Sequence, residues 1–383
     1  MRDFIHELRR FFRKGDMVLL VMCLAISAFG CLIIASTNDH RGFTRYVLIQ
    51  VAAIGLGVMF YAVMSSIDLE FFAEHRMALV VFSMGMLMLL IPFGTDLGSG
   101  NKSWLDIPLV PFNIQPAEIC KISYILITAS VMASHQNKLS GFRSVFHMAF
   151  YLILLVGTNM LLSRDLGVSL IFVFIFLGMA FTGGVKLIWF LLGGGSVVAV
   201  WPLVWPRLDN HQRLRIQMLF DPTVDPQGIG VRYHLKRSLD TLTGGGLTGQ
   251  GLFNGNRTQV GALPAQHTDF IFSAIGEEMG YVGCFLVLIM LAAVIARCIW
   301  VGCQSPDYMR RMVCFGAAAA LIFQVFVNVG MCIGLVPVIG LTLPLISYGG
   351  SSVVTIYAML GLVSGVYARP SPRSHERYIQ PPR

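Results

Sequence analysis

Ten stretches of this chain are apolar over the length that crosses a bilayer, about 20 residues at ~1.5 Å rise across a ~30 Å hydrocarbon core. They fall near 17–36, 46–66, 77–93, 115–134, 144–162, 166–183, 187–205, 279–302, 312–334 and 352–368. Backbone in lipid must satisfy its own hydrogen bonds, so each run reads as a helix. Composition agrees. The 383 residues are 55% hydrophobic and 13% charged, about half the charge of an average soluble domain, too little to cover a surface in water. The net charge of +8 does not indicate nucleic acid, because the basic residues are scattered between apolar runs instead of gathered on one polar face. The chain reads as an all-α polytopic membrane protein of about ten transmembrane helices.

Lys and Arg in the short connections set the orientation. With the N-terminus in the cytoplasm, sixteen basic residues fall inside, including Arg2, Arg9, Arg76, Arg143, Arg297 and Arg310. Only Arg41, Arg45, Lys102 and Arg164 fall in the short outer segments. Both termini are therefore expected in the cytoplasm, with a basic segment over 1–16, a membrane domain over 17–368 and a tail over 369–383. Phe4, Ile5, Leu8, Phe11 and Phe12 alternate with basic residues, a pattern that suits either an interfacial helix or a plain positive-inside anchor. No cleavable signal is expected. The eight cysteines lie in or beside apolar runs without C-x-x-C or zinc spacing, and read as small apolar fillers.

One connection breaks the pattern. Residues 206–267, between the seventh and eighth runs, form a long outer loop. Leu235, Leu239, Leu242 and Phe253 give it the means to pack back onto the membrane domain. It is basic, with Arg213, Arg215, Lys236 and Arg237, and rich in glycine from Gly244 to Gly251. Glycine backbone turns N–H groups toward anions and Arg forks onto phosphate oxygens, so the loop fits a phosphate-bearing ligand at the membrane surface. Glycines acting only as turns, with basic residues at lipid headgroups, account for the same composition. No G-x-x-x-x-G-K-[ST] pattern supports nucleotide hydrolysis.

Charges at membrane depth are costly and mark function or buried pairs. Glu118 and Lys121 are three apart and can pair on one helix face. Asp165 follows Arg164 in a short turn. Asp269 stands where the loop re-enters the membrane, ahead of Phe270, Ile271 and Phe272, and Glu277 and Glu278 follow. On a helix, Glu278 would lie half a turn round from Asp269 and Glu277 about 80° away. A two-carboxylate site is not implied, and Asp269 is the best single base.

Several motifs then occur in one order: Gln115-Pro116-Ala117-Glu118 with Lys121; Asp165-Leu166-Gly167; the Gly244–Gly251 run; His267-Thr268-Asp269-Phe270-Ile271-Phe272 with Gly276-Glu277-Glu278; and Ser347-Tyr348-Gly349-Gly350. Together they resemble the SEDS family of shape, elongation, division and sporulation proteins. The resemblance implies a peptidoglycan glycosyltransferase that polymerises lipid II beside a class B penicillin-binding protein and other elongation or division proteins. An elongation member is expected, with division and sporulation as alternatives. It places the essential aspartate on Asp269 and family elements on Gln115, Glu118, Lys121 and Asp165, and it implies a divalent cation, Mg²⁺ or Mn²⁺. Arg45, Lys121, Arg213, Arg215, Lys236 and Arg237 are candidates for the pyrophosphate. Glu277, Glu278, Ser347, Gly349 and Gly350 are candidates for shaping the cavity. Ala117, Arg164 and His234 depart from the family's usual residues. A lipid-linked precursor flippase and a noncatalytic scaffold are the rival readings.

Overall fold

A computed structural model of the protein describes residues 15–37, 43–96, 102–107, 112–208, 210–218 and 231–369. The basic stretch before Gly15, Arg41 and the tail after Arg369 lie outside the described residues. Helices follow in the order α1 (Met17–Thr37), α2 (Phe43–Ser66), α3 (Leu69–Glu74), α4 (Arg76–Met88), α5 (Leu90–Phe93), α6 (Pro116–Ser134), α7 (Phe142–Leu162), α8 (Leu166–Thr182), α9 (Leu187–Val204), α10 (Asn210–Gln217), α11 (Val231–Gly244), α12 (Ile271–Gln304), α13 (Tyr308–Cys332) and α14 (Gly350–Ala368). A two-residue antiparallel ladder pairs β1 (Gly94–Thr95) with β2 (Trp104–Leu105). Nine helical segments among the described residues are long and apolar enough to cross a membrane, α4 and α5 together making one of them. Helix α8 is equally apolar but shorter. Each of the ten apolar runs thus falls on a helix.

Local sequence explains where these helices start. Asp16, Asp165 and Asp307 each accept a backbone N–H from the first turn that follows, at 3.1, 3.1 and 2.8 Å, and Pro116 opens α6 where its missing N–H costs nothing. Small residues set the closest helix pair. A β-carbon on Gly361 of α14 would lie 2.5 Å from the Tyr61 carbonyl oxygen of α2, and one on Gly365 3.1 Å from that of Ser65. In lipid such close approach replaces the hydrophobic drive between helices. Buried Asp16 holds Arg297 through two hydrogen bonds of 2.9 and 3.1 Å, and that guanidinium lies over the rings of Trp300 and Tyr367. Helix α9 is the outlier. Trp189 donates its indole N–H to the Ser140 carbonyl, but every side chain from Leu191 to Val204 is exposed.

Two expectations need correction. The eighth run, expected over 279–302, belongs to a helix that begins at Ile271 and is broken at Gly280, where φ is 67° and ψ −169°. The first piece carries polar Glu277 and Glu278, which hid it from an apolar-run criterion. The 206–267 connection, expected as one loop, contains α10 and α11. Helix α11 packs on the first piece of α12 through Leu242 against Gly276 and a 2.7 Å bond between the Ser238 and Ser273 hydroxyls.

The glycine run docks onto that break. Gln250 and Gly251 donate their amides to the Glu277 and Glu278 carbonyls, both at 2.9 Å, while Tyr281 and Val282 donate to Gly246 and Leu247 at 3.0 and 3.2 Å. Backbone groups released at Gly280 are thereby satisfied. The approach leaves no room for side chains: a β-carbon on Gly245 would lie 1.9 Å from the Gly276 carbonyl oxygen. The Gln250 and Gly251 amides are spent on α12, so the glycines serve as a backbone clasp and the anion-cradle reading of this run is withdrawn.

Candidate functional site

Asp269 sits one residue before the Phe270 cap of α12 and is partly buried. Its backbone is fixed from α13: fully buried Asn328 donates Nδ2 to the Asp269 carbonyl at 2.9 Å and to the Leu341 carbonyl at 2.7 Å. The neighbouring Thr268 carbonyl accepts the Ser347 hydroxyl at 2.6 Å, and the His267 carbonyl accepts the Tyr348 amide at 2.8 Å. Gln50 of α2 in turn donates to the Ser347 carbonyl at 3.1 Å and accepts from the Gly349 amide at 3.3 Å. The carboxylate faces Gly340, whose added β-carbon would stand 3.6 Å from Oδ2.

Burial pushes the Asp269 carboxyl up to about 6, with Arg215 pulling it down and Asp165 adding to the rise. Arg215 comes from α10. Burial depresses its guanidinium, and Asp269 and then Asp165 act against that. The guanidinium thus stands in the field of both carboxylates. His234 of α11, beside the same region, stacks on Phe270 with the rings 2° from parallel. Burial and then Arg215 hold its imidazole below the usual value.

Asp165 is raised too, first by burial, while the Val168 amide counters it and Glu118 adds to it. Gln115, capping α6, donates Nε2 to Asp165 Oδ2 at 2.8 Å, and its own amide donates to Ser351 Oγ in the first turn of α14 at 3.1 Å. The N-termini of α6, α8 and α14 therefore meet at one point. Each carries roughly half a positive charge, so the place where they meet favours negative groups such as Asp165. The segment 339–341 separates Asp165 from Asp269: Gly167 approaches the Ile339 carbonyl on one side, and Gly340 faces Asp269 on the other. Lys121 Nζ lies 2.7 Å from Glu118 Oε2, with both side chains 4% exposed, and Thr355 donates to the same oxygen at 3.1 Å.

The other expected residues have separate tasks. Glu277 accepts the Arg257 and Thr258 amides at 3.0 and 2.8 Å. Glu278 accepts from Ser36, Thr258 and Gln259 at 2.6, 3.2 and 3.2 Å. Glu277 staples the outer loop to α12, and Glu278 ties that loop to α1 as well. Arg213 turns back onto the Pro206 carbonyl, Arg237 lies over the Tyr233 ring at 5.2 Å, and Lys236 and Arg45 are exposed. Gly350 fits against Phe112, where a β-carbon would clash at 2.2 Å. Of the basic candidates, Arg215 is the one whose charge acts on the Asp269 carboxyl, and Lys121 is taken by Glu118. Among the described residues no three His, Cys, Asp or Glu side chains gather as a set that could hold a metal ion. The divalent cation implied by the resemblance finds no protein cage among them. Asn328 and Gln50, which brace the Asp269 segment, carried no motif that marked them; a buried amide on an apolar helix was their only signal.

These features define a multi-pass helical membrane protein with a braced, partly buried carboxylate beside a cationic loop helix. The chain belongs to the FtsW/RodA/SpoVE cell-cycle protein family, whose profile matches residues 15–371. It is 32% identical over 359 residues to the peptidoglycan glycosyltransferase MrdB of Escherichia coli K12, covering 92% of this chain and 93% of that one. It is 33% identical over 373 residues to a probable peptidoglycan glycosyltransferase FtsW of Tolumonas auensis, at 93% and 92% coverage. Among solved structures it resembles a chain of a peptidoglycan synthase complex that coordinates polymerization and crosslinking, with TM-score 0.77, 28% identity and coverage of 96% and 99%. Thermus thermophilus RodA matches with TM-score 0.69 at 25% identity, over 94% of this chain and 98% of that one.

Proposed function

We infer that this chain is a peptidoglycan glycosyltransferase that polymerises lipid II at the outer face of a bacterial inner membrane, both termini lying in the cytoplasm. The observation that carries the chemistry is Asp269, a carboxyl braced through its backbone by Asn328 and raised to about 6 in the field of Arg215. A base works best with a pKa near the operating pH. Asp269 takes the proton of the acceptor sugar's 4-hydroxyl as that oxygen bonds to C1 of the donor MurNAc. The C1–O bond to the pyrophosphate breaks, and undecaprenyl pyrophosphate leaves with its electron pair. Arg215 and the convergent helix N-termini favour the anionic groups of the substrate.

The flippase reading needs mobile charges along a path through the membrane. Glu118 and Lys121 instead neutralise each other and are tied to Thr355, which suits a fixed strut. The similarity to a chain of a synthase complex supports a class B penicillin-binding protein as partner, in elongation or division. Purified protein, with and without that partner, is given lipid II and scored for glycan polymer. Parent activity lost in Asp269→Asn by about 10²–10⁴-fold is the expected result. Asp269→Asn protein that polymerises at the parental rate sinks the assignment.

A further inference from the structure

Three aromatic side chains from distant parts of the chain meet beside the Asp269 segment. The Tyr46 ring, in the first turn of α2, lies 4.9 Å from the His267 imidazole and 5.1 Å from the Tyr348 ring, and His267 and Tyr348 are 5.6 Å apart. Tyr46 and Tyr348 meet edge-on at 88°, while His267 is inclined 47° and 61° to them. The backbone beneath is rigid, because Tyr348 donates its amide to the His267 carbonyl and Gln50 bridges Ser347 and Gly349.

The polar tips of this cluster find no partner among the described residues: neither tyrosine hydroxyl nor either imidazole nitrogen has a hydrogen bond there. None of those atoms is among the buried unsatisfied ones, and all three residues are partly exposed. Tyr and His placed for packing alone normally find partners for their polar ends when buried. Here the residues are partly exposed and their polar tips are not sealed off. Burial holds the His267 imidazole below its usual value, so at neutral pH it is uncharged and offers one donor and one acceptor. Among the described residues Arg45 is the cation that acts on the cluster, through Tyr348, and it is exposed at the start of α2. A pyranose answers the chemistry: its C–H face packs on aromatic rings, and its hydroxyl and acetamide groups both donate and accept.

We propose that Tyr46, His267 and Tyr348 form a sugar-binding platform that holds one N-acetylated pyranose of the acceptor beside Asp269. The acceptor assignment rests on the glycosyltransferase reading above. His267 and Asp269 are two residues apart, so their Cα atoms are separated by at most about 7 Å. The platform and the carboxylate thus share one short segment, whose backbone is held by Tyr348, Ser347 and Asn328. The three are positioning residues: they set where the hydroxyl lies and do not take its proton.

The test uses the full-length protein in detergent and two readouts. Saturation-transfer NMR with the uncharged tetramer of N-acetylglucosamine should show transfer to sugar C–H and acetyl protons for the parent and for Tyr46→Phe. Tyr46→Leu and Tyr348→Leu should lose it. With lipid II, the Leu variants should raise KM about tenfold, the scale of one aromatic contact, with a smaller change in kcat and an unshifted pH profile. His267→Gln, which keeps a donor and an acceptor without the ring, should fall between parent and Leu variants and serves where a Leu variant unfolds early. No transfer to the parent, or Leu variants with parental KM and transfer, overturns the platform. A parent that polymerises lipid II while the Leu variants behave as parent removes the platform and leaves the enzyme reading intact. A parent that binds the tetramer through these residues but makes no polymer removes the enzyme reading and leaves a sugar-binding site.

Discussion

Lys121 and Glu118 form a 2.7 Å ion pair one helical turn apart, with each side chain almost sealed from solvent and Thr355 of α14 bonded to the same carboxylate oxygen. Removing one partner of such a pair strands the other. Glu118→Gln should cost about 3–5 kcal/mol, read as a lower unfolding midpoint in detergent together with reduced polymer yield. Exchanging the two residues should restore part of both. Parental stability and activity in Glu118→Gln would show that the pair has no weight.

The clasp between the glycine run and α12 separates two effects of adding a β-carbon. At Gly249, φ is +81° and the new atom would lie 2.2 Å from the Glu278 carbonyl oxygen; at Gly246, φ is +58° with nothing within 4 Å. Gly246→Ala should cost only the left-handed penalty, about 1–2 kcal/mol. Gly249→Ala should cost clearly more and cut polymerisation, because the clasp must part from the break at Gly280. Thermal unfolding of the two variants side by side decides it. Equal losses would mean that the close approach is unimportant.

The apolar runs of the membrane helices were legible because lipid demands them, and the position of Asp269 ahead of α12 because a carboxylate at the end of a basic connection is conspicuous. Gly280 was not: Gly280-Tyr281-Val282-Gly283 reads as ordinary small-residue membrane helix, and only the arrival of Leu247 and Gly249 from another segment explains its positive φ. The glycine run fitted an anion cradle and a close backbone contact equally well by composition. Glu277 and Glu278 read as cavity groups because their partners, Ser36, Arg257 and Thr258, are brought to them only by the fold. The Tyr46–His267–Tyr348 cluster joins positions some 300 residues apart at its widest, and no local pattern announces such a meeting.

Orientation has a direct test. Cys303, near the end of α12, is exposed, and the Lys/Arg bias puts that end in the cytoplasm. A membrane-impermeant maleimide should label it only after permeabilisation. Asp240→Cys in α11, in a background without native cysteines, should be labelled from outside in intact cells. The reverse pattern would invert the topology and place Asp269 on the wrong side for an extracytoplasmic polymerase.

Asp269 joins activity to stability with opposite signs. Its carboxyl rises from 3.8 to about 6 in the fold, and the base must be ionised to act. Polymerisation should therefore fall as pH drops through about 6. Arg215 favours the ionised form and Asp165 disfavours it. Arg215→Gln should move the acid limb to higher pH, and Asp165→Asn should move it lower. Stability runs the other way. Between the unfolded and folded values the folded chain binds the extra proton, so the contribution from this group is present at low pH and is lost as pH rises from about 4 through about 6. At pH 7.5 the parent carries the full cost of an ionised, partly buried carboxylate. Asp269→Asn removes that cost. It should unfold at a higher temperature than the parent at pH 7.5, by roughly 1–3 kcal/mol of stability, while polymerising about 10²–10⁴-fold more slowly. The difference should shrink toward zero near pH 4. Should Asp269→Asn prove less stable than the parent at pH 7.5, the carboxylate is a structural anchor in its folded setting, and its role as base loses its physical ground.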